Sequence, residues 1–360
     1  MSAITTTAYV HTTSPTPHFV KSTVELPPLG PNDALIEVLA CSICHTDMYS
    51  FGIEGIVPGH EVVGRVLDLG PQAKVDSEQT TEADGVVGIT VKIGDVVGFG
   101  YLRSACLKCE LCLKGSEIFC PKRKIFPEGK LFGFAEKTVW DARFLYPVPQ
   151  GLEPKYAAPL LCAGATMFNC LFENNVSPTA RVGVIGIGGL GHLGLQFARA
   201  WGCHVVAFSS RDNKKDEALK MGAHEFCTPQ TTGSLGKLDF IINTVSASLD
   251  YDYYFSLLKP TGIFCTVGAQ DDKKELEIRD HTVFILRNIR FMGSLVASRG
   301  AMCKMLQFAN RHGIKPVIEE DEMSAQALDT SFDRLTKGLV RYRTVLVNKK
   351  AAEGAVTAQL

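Results

Sequence analysis

Surplus charge, an apolar run of membrane-spanning length and an export leader are what this 360-residue chain most plainly lacks. With 37 Lys and Arg against 38 Asp and Glu, a formal net charge of −1, it carries no electrostatic footprint for nucleic acid. The one short basic run, Lys122-Arg123-Lys124, reads as a solvated loop. No apolar stretch approaches the roughly 20 residues of a bilayer span. The opening MSAITTTAYVHTTSPTPHF has neither a basic leader nor an apolar h-region, so a cytoplasmic protein is expected. No internal repeat is present, and the only biased block is the Ala-rich tail Ala351–Leu360, expected to fray. What the chain does have is twelve cysteines within an ordinary globular composition, 46% hydrophobic and 21% charged. Without an export signal, these point away from disulfides and toward metal ligands and buried thiols.

A chain of this length exceeds one ordinary core and suits two domains. Up to about Pro147, short β-branched runs such as Ala34–Leu39 and Val62–Val66, punctuated by Gly and Pro, read as an irregular β-rich unit. From Ala157 on, compact apolar runs at 182–185, 204–208, 240–243 and 263–267 alternate with helix-length segments, the signature of parallel βαβ units. Around Gly293 the pattern turns β-like again, followed by a helix near 301–311 and a last strand at 344–347. The expected fold is α/β: a β-rich domain of residues 1–154 and 294–360, with a doubly wound parallel-sheet domain of residues 155–293 inserted in it.

Three groups of residues carry chemistry. In VGVIGIGGLGHLG, Gly186, Gly188 and Gly191 form G-x-G-x-x-G between an apolar strand and a helix, with Gly189 and Leu190 inside the turn. Glycines there permit the tight turn and let a dinucleotide pyrophosphate approach the helix N-terminus. The next strand runs into Ser209-Ser210-Arg211 rather than an acid, which suits a 2′-phosphate and favours NADP. Lys214 and Lys215 either add charge there or are solvated surface, and a strand ending later would bring Asp212 to a 2′-OH and favour NAD instead.

The second group, Cys106, Cys109, Cys112 and Cys120 in C-x2-C-x2-C-x7-C, can close a tetrahedral zinc site from a single loop, leaving no position for water. The third is dispersed: Cys44 in CSICHTD, His60-Glu61 in VPGHE and Cys162 in APLLCAGAT. Singly, each reads as a buried thiol or a core histidine. Together, two thiolates and an imidazole leave one zinc position open, the arrangement of a catalytic site.

CSICHTD, VPGHEVVG, the four-cysteine loop, APLLCAGAT, GIGGLGHLG, SLLKPTG and VRYRTVLV, in that order from about Tyr9 to Asn348, resemble the zinc-containing medium-chain alcohol dehydrogenases, most of all their cinnamyl alcohol dehydrogenase branch. The resemblance implies a GroES-like β-rich catalytic domain plus a Rossmann domain, an active site in the cleft between them, two Zn2+ per chain, NADP(H), and a homodimer paired through a sheet edge. It implies that Cys44, not Cys41, ligates the catalytic zinc with His60 and Cys162, and that Glu61 lies behind the metal and can swing onto it. By the same resemblance Thr46 hydrogen-bonds the substrate oxygen, His45 lies near the pyrophosphate, Thr166 packs near the nicotinamide, and Asp47 orients a ligand. The substrate wall maps onto Phe126 and Leu295, for both of which plain core packing is the competing reading.

Three departures stand out. Tyr49 replaces a histidine that continues the proton chain in many relatives, and a phenol exchanges protons poorly at neutral pH. The segments Met48–Val57 and Lys122–Phe134, which border the substrate cleft in the family, are short. Val75–Thr90 is long and polar, and reads as a surface loop. The expected function is zinc-dependent hydride transfer between NADP(H) and a primary alcohol or aldehyde of aromatic, terpenoid or medium aliphatic character. The alternatives are reduction of a conjugated C=C or an iminium, and a catalytically silent dinucleotide-binding scaffold.

Overall fold

The computed structural model describes residues 3–14, 16–79, 90–228, 235–268 and 276–351. The chain packs as two compact units: Met1–Cys162 with Ser298–Asn310 and Lys315–Leu360, and Ala163–Ala297 with Arg311–Ile314.

The first unit opens with the antiparallel pair β1 (Thr5–Thr12) and β2 (His18–Glu25). Its main sheet is built from β3 (Asp33–Ile43), β4 (Glu61–Leu69) and β5 (Val96–Phe99). A short pair, β6 (Leu102–Ser104) and β7 (Lys124–Ile125), brackets the four-cysteine segment. Strands β8 (Lys137–Asp141) and β9 (Tyr146–Pro147) then rejoin the main sheet, β8 on β3 and β9 on β5.

In the second unit, β10 (Arg181–Ile185), β11 (His204–Phe208), β12 (Glu225–Cys227), β13 (Leu238–Asn243), β14 (Leu258–Thr266) and β15 (Arg290–Gly293) form one sheet in the order β12-β11-β10-β13-β14-β15. Every pair in it is parallel. The apolar runs read from the sequence are its central strands, buried because helices cover parallel sheets on both faces. Val182, Val184, Val205 and Ile241 are fully buried, each contributing roughly 1.5–3 kcal/mol by the area it removes from water. The strand expected near Gly293 is β15, which extends this parallel sheet instead of resuming the β-rich unit.

The first unit is completed by β16 (Ile318–Glu322) and β17 (Arg343–Val347); β17 runs antiparallel to β3, with β16 parallel outside it. The expected loop Val75–Thr90 begins instead inside a helix, Pro71–Gln79. Proline at its first position and strong helix formers after it favour that outcome. Residues 80–89 lie outside the described residues, as do 352–360 of the Ala-rich tail; Ala351 itself is buried in a helical turn. No described helix is long and apolar enough to cross a membrane.

Candidate active site and metal centres

Two strand ends and a helix start bring the dispersed residues together. Cys44 follows β3 directly, Glu61 opens β4 with His60 just before it, and Cys162 begins the turn into the helix Ala163–Glu173. Strands β3 and β4 pair with Ser42 opposite Glu61, which fixes the first two groups side by side. Cys162 is brought in by a close approach: a Cβ on Gly100 would stand 2.7 Å from the Leu161 carbonyl oxygen. Cys44, His60, Glu61 and Cys162 each offer one donor atom, all within 4.8 Å of one another.

His60 is aimed by Asp47. The segment His45–Ser50 is a 3-10 turn whose first residues are tied by Asp47: its Oδ2 accepts from the Cys44 backbone N–H at 3.0 Å. Its Oδ1 accepts from Gly59 N at 3.2 Å and from His60 Nδ1 at 2.7 Å. Asp47 and His60 are both fully buried. With Nδ1 committed as donor, Nε2 is left buried with no hydrogen-bond partner among the described residues. An imidazole fixed this way presents a lone pair to whatever occupies the cluster. Gly59 has φ +99, and a Cβ there would meet Cys41 Sγ at 2.8 Å and Phe134 N at 2.9 Å, so only glycine fits the bend before His60.

The turn itself rests on an aromatic cluster. Phe51, just after Ser50, stacks on His11 at 4.1 Å and meets Phe332 edge-on at 4.9 Å. Such pairs contribute about 0.5–1.5 kcal/mol each beyond their buried area.

Electrostatics match a cation-binding site. The Cys162 thiol, hydrogen-bonded to Cys44, holds the Cys44 thiol well below its ordinary value against the effect of burial. Cys162 is raised correspondingly by Cys44 and by burial. One sulfur of the pair is therefore poised as the thiolate that metals bind. Burial pushes the Glu61 carboxyl up to about 7, against the pull of Arg343. Both Glu61 oxygens accept from Arg343 Nη2, which also donates to Ser42 Oγ at 3.2 Å. Arg343 opens β17, and the pairing of Thr344 with Ile43 sets it beside the end of β3.

Two thiols, an imidazole whose buried Nε2 points into the cluster and a tethered carboxylate are the donor set of a borderline-soft divalent ion such as zinc, and the residues fit it. The four-cysteine segment fits as well. Its sulfurs stand 3.5 Å (Cys109–Cys112), 3.6 Å (Cys106–Cys120), 3.8 Å (Cys109–Cys120) and 3.9 Å (Cys106–Cys112) apart. Four sulfurs at the usual Zn–S distance would be ~3.8 Å apart on a tetrahedron. Backbone N–H groups, first that of Lys108, lower the Cys106 thiol to about 6.

In the second unit, Gly186 (φ +87) to Leu190 link β10 to the helix Gly191–Trp201, which ends at Gly202 with φ +104. A Cβ on Gly191 would lie 1.7 Å from the Gly186 carbonyl oxygen, while one on Gly188 would meet nothing within 4 Å. Gly191 is thus demanded by the turn, and Gly188 leaves open space over it. Thr244 Oγ1 donates to Ile185 O at 2.8 Å and Gly186 O at 3.1 Å, fastening the loop. Strand β11 ends at Phe208, opposite Ile185, so Ser209, Ser210 and Arg211 follow its end directly and Asp212 falls in the next 3-10 turn. Lys214 Nζ donates to Ile187 O at 2.6 Å, inside the glycine loop, rather than standing in solvent.

The other residues singled out from the sequence are placed as follows. Thr46 is half-buried and His45 exposed on the 3-10 turn, with Tyr49 54% exposed. Thr166 is buried in the helix Ala163–Glu173, and Leu295 is half-buried. Phe126 is buried with its ring 5.0 Å from that of His60, where it packs the imidazole in place. Cys41 is fully buried within β3 and outside the donor cluster. Arg343, Ser42 and Tyr101, whose ring lies 6.3 Å from that of His60, were not singled out by sequence. VRYRTVLV contains Arg343, but nothing in that string separates a buried arginine from a surface one.

Comparison with known proteins agrees with this architecture. A family model described as "Alcohol dehydrogenase GroES-like domain" matches residues 30–150, and one described as "Zinc-binding dehydrogenase" matches residues 189–311. The chain is 37% identical to the aldehyde reductase AdhA of Synechocystis sp. over 334 residues, 89% of this chain and 93% of that protein. The solved structure of a cinnamyl alcohol dehydrogenase from Sorghum bicolor superposes with a TM-score of 0.82 at 33% identity, covering 96% of this chain and 98% of that one. A cinnamyl alcohol dehydrogenase from Helicobacter pylori, complexed with NADP(H), gives a TM-score of 0.84 at 28% identity, covering 97% of this chain and all of the other.

Proposed function

Since the chain belongs to the zinc-binding alcohol dehydrogenase family and is similar to its cinnamyl alcohol dehydrogenases, we propose that it reduces an aromatic, terpenoid or medium aliphatic aldehyde with NADPH, or runs the reverse reaction. The single observation that carries this is the Cys44, His60 and Cys162 donor set, with Glu61 tethered to Arg343 and the buried His60 Nε2 without a hydrogen-bond partner among the described residues. When bound, zinc supplies the Lewis acid that polarises the carbonyl and NADPH supplies the hydride. The balance is simple: the carbonyl carbon gains the hydride, the oxygen gains a proton, and the nicotinamide is oxidised.

This chain's residues position that exchange. Asp47 keeps the His60 tautomer whose Nε2 would be available to ligate the metal, and the Thr46 hydroxyl would donate the proton to the substrate oxygen. Cys106, Cys109, Cys112 and Cys120 hold the second, structural zinc. Gly186, Gly188, Gly189, Leu190 and Gly191 leave room for the pyrophosphate, and Thr166, in the same unit, is the residue proposed to pack near the nicotinamide. Ser209, Ser210 and Arg211 bind the 2′-phosphate, and Lys214 closes over the glycine loop. Leu295 contributes to the substrate wall, while Phe126 acts through His60. The end of β11 at Phe208 supports NADP over NAD, because it leaves Asp212 beyond the position from which an acid would reach a ribose hydroxyl.

Steady-state oxidation of NADPH and NADH with a panel of aldehydes tests this reading. NADPH is expected to be preferred, and Arg211→Ala to lower kcat/KM for NADPH by roughly 10- to 100-fold while leaving NADH nearly unchanged, the scale of one charge-assisted hydrogen bond. A wild-type preference for NADH would refute it.

Tyr49 is 54% exposed, so the proton chain is expected to pass from Thr46 to water. Tyr49→Phe should then leave the pH profile of turnover unchanged. A fall in turnover near the ~100-fold that a positioned acid supplies would instead make the phenol part of the chain.

The protein is also expected to be a homodimer through β15, one of the two edge strands of the described parallel sheet, preceded by Ile285 and Leu286 at 75% and 81% exposure. Light scattering should show a dimer that Leu286→Asp converts to monomer; a monomeric wild type would refute the assignment.

A further inference from the structure

We propose that the second unit carries an anion site of its own, an open groove in which Arg199, Lys220 and His224 take the phosphate group of a small organic phosphate. The site stands apart from the cofactor loop. His224 directly precedes β12 and lies beside the start of β11, whereas Ser209–Arg211 follow the end of β11, so the two anion sites sit at opposite ends of these parallel strands.

His224 is the fixed point of the groove. Its backbone N–H donates to Val205 O at 2.8 Å, and its ring Nδ1 accepts from the Val205 N–H at 2.9 Å. A neutral imidazole has one acceptor nitrogen, so with Nδ1 accepting, Nε2 carries the proton. What Nε2 meets is the Arg199 guanidinium, which has donors only. Two donors thus converge with no acceptor between them, and the oxygen of an anion satisfies both. Arg199 is held in that position by its own stem. A Cβ on Gly222 (φ +110), in the turn after the helix Lys215–Lys220, would stand 2.7 Å from Arg199 Cβ and 2.9 Å from Cγ, so a glycine is what lets the side chain lie across the turn.

Charge at the groove is unbalanced in the same sense. Among the described residues neither Arg199 nor Lys220 pairs with a carboxylate. Glu225 Oε1 is already shared by Arg181 Nη1 at 2.9 Å and His204 Nε2 at 2.6 Å, and the His204 ring stacks on that of His224 at 4.4 Å. Burial, then Arg199 and His204, and last Arg181 hold the His224 pKa below its ordinary value, with Glu225 opposing them. An anion beside Arg199 counters that field and favours the charged imidazole, so by linkage it binds more tightly as pH falls. A phosphate monoester presents three oxygens and nearly two negative charges to the three groups. The groove measures about 610 Å³, the scale of a small-molecule site, and Leu219, Met221 and Ile314 line it beside the cations, which suits a phosphate with an apolar body.

Isothermal titration of the zinc-loaded, NADPH-saturated protein tests this, because the cofactor then fills its own phosphate positions. Phenyl phosphate is expected to bind with a dissociation constant on the order of a millimolar, the scale of two charge-assisted hydrogen bonds, and inorganic phosphate roughly 10-fold more weakly. Arg199→Gln should weaken phenyl phosphate by about 10-fold or more, whereas Arg211→Gln should leave it unchanged. Sulfate, whose charge is constant between about pH 6 and pH 8, should bind roughly 3- to 10-fold more tightly at the lower value, and His224→Gln should abolish that difference. Absence of phenyl phosphate binding, or equal affinity in wild type and Arg199→Gln, overturns the proposal. A pH dependence that survives His224→Gln removes the imidazole from the site and overturns it as well, and inorganic phosphate binding as tightly as phenyl phosphate contradicts an organic ligand.

Discussion

Replacing Asp47 with alanine is expected to destabilise the β-rich unit and strip the adjacent metal site at once. Asp47 is fully buried, and its two oxygens satisfy the Cys44 N–H, the Gly59 N–H and His60 Nδ1 at 3.0, 3.2 and 2.7 Å. Each donor left unpaired costs about 1–3 kcal/mol, so the combined loss is on the order of 4 kcal/mol once partial relaxation is allowed for. The same change frees the His60 ring, and zinc affinity is expected to fall by roughly 10- to 100-fold, as for other supports of metal-bound histidines. Asparagine rescues only in part, because one of its two terminal atoms is a donor set against a donor. Urea denaturation and zinc titration of both variants check this. An Asp47→Asn protein that binds zinc as tightly as the wild type would show that the carboxylate does not orient His60.

The largest effect on turnover is expected from the ligands themselves. Cys44→Ser, or removal of zinc from the wild type, should lower NADPH-linked aldehyde reduction by at least about 10³-fold, since a Lewis acid contributes several kcal/mol and each ~1.36 kcal/mol is tenfold. Loss of a ligand from the four-cysteine loop should read out differently. Cys112→Ser should lose one zinc and thermal stability, while the molecules that remain folded keep most of their kcat. Metal content, melting temperature and single-turnover rates measured together separate the two centres. Equal loss of single-turnover rate in both variants would contradict the assignment of one centre as structural.

How much of this was legible in the sequence depended on how local the physics is. The glycine loop could be read directly, because the turn admits no side chain at Gly191 and leaves open space at Gly188. The four cysteines could be read because a single loop carries all four sulfurs to tetrahedral spacing. Cys44, His60 and Cys162 are different: β3–β4 pairing and the Gly100–Leu161 contact bring them together, and no local pattern encodes either. Their association rested on resemblance to a family. Arg343 was missed because its meaning comes from β17 pairing with β3. Strand β16 was missed because its sequence, IEEDE, has no apolar alternation, and its pairing with β17 overrides that composition. Phe126 could be seen as apolar but not as facing His60, which depends on the turn after β7.

The central claim is that the Cys44, His60 and Cys162 cluster serves reduction at a carbonyl carbon. The most direct measurement is identification of the product formed from a conjugated aldehyde with NADPH by the zinc-loaded protein. The account predicts the unsaturated primary alcohol, with the C=C intact; a saturated aldehyde as the sole product would contradict it.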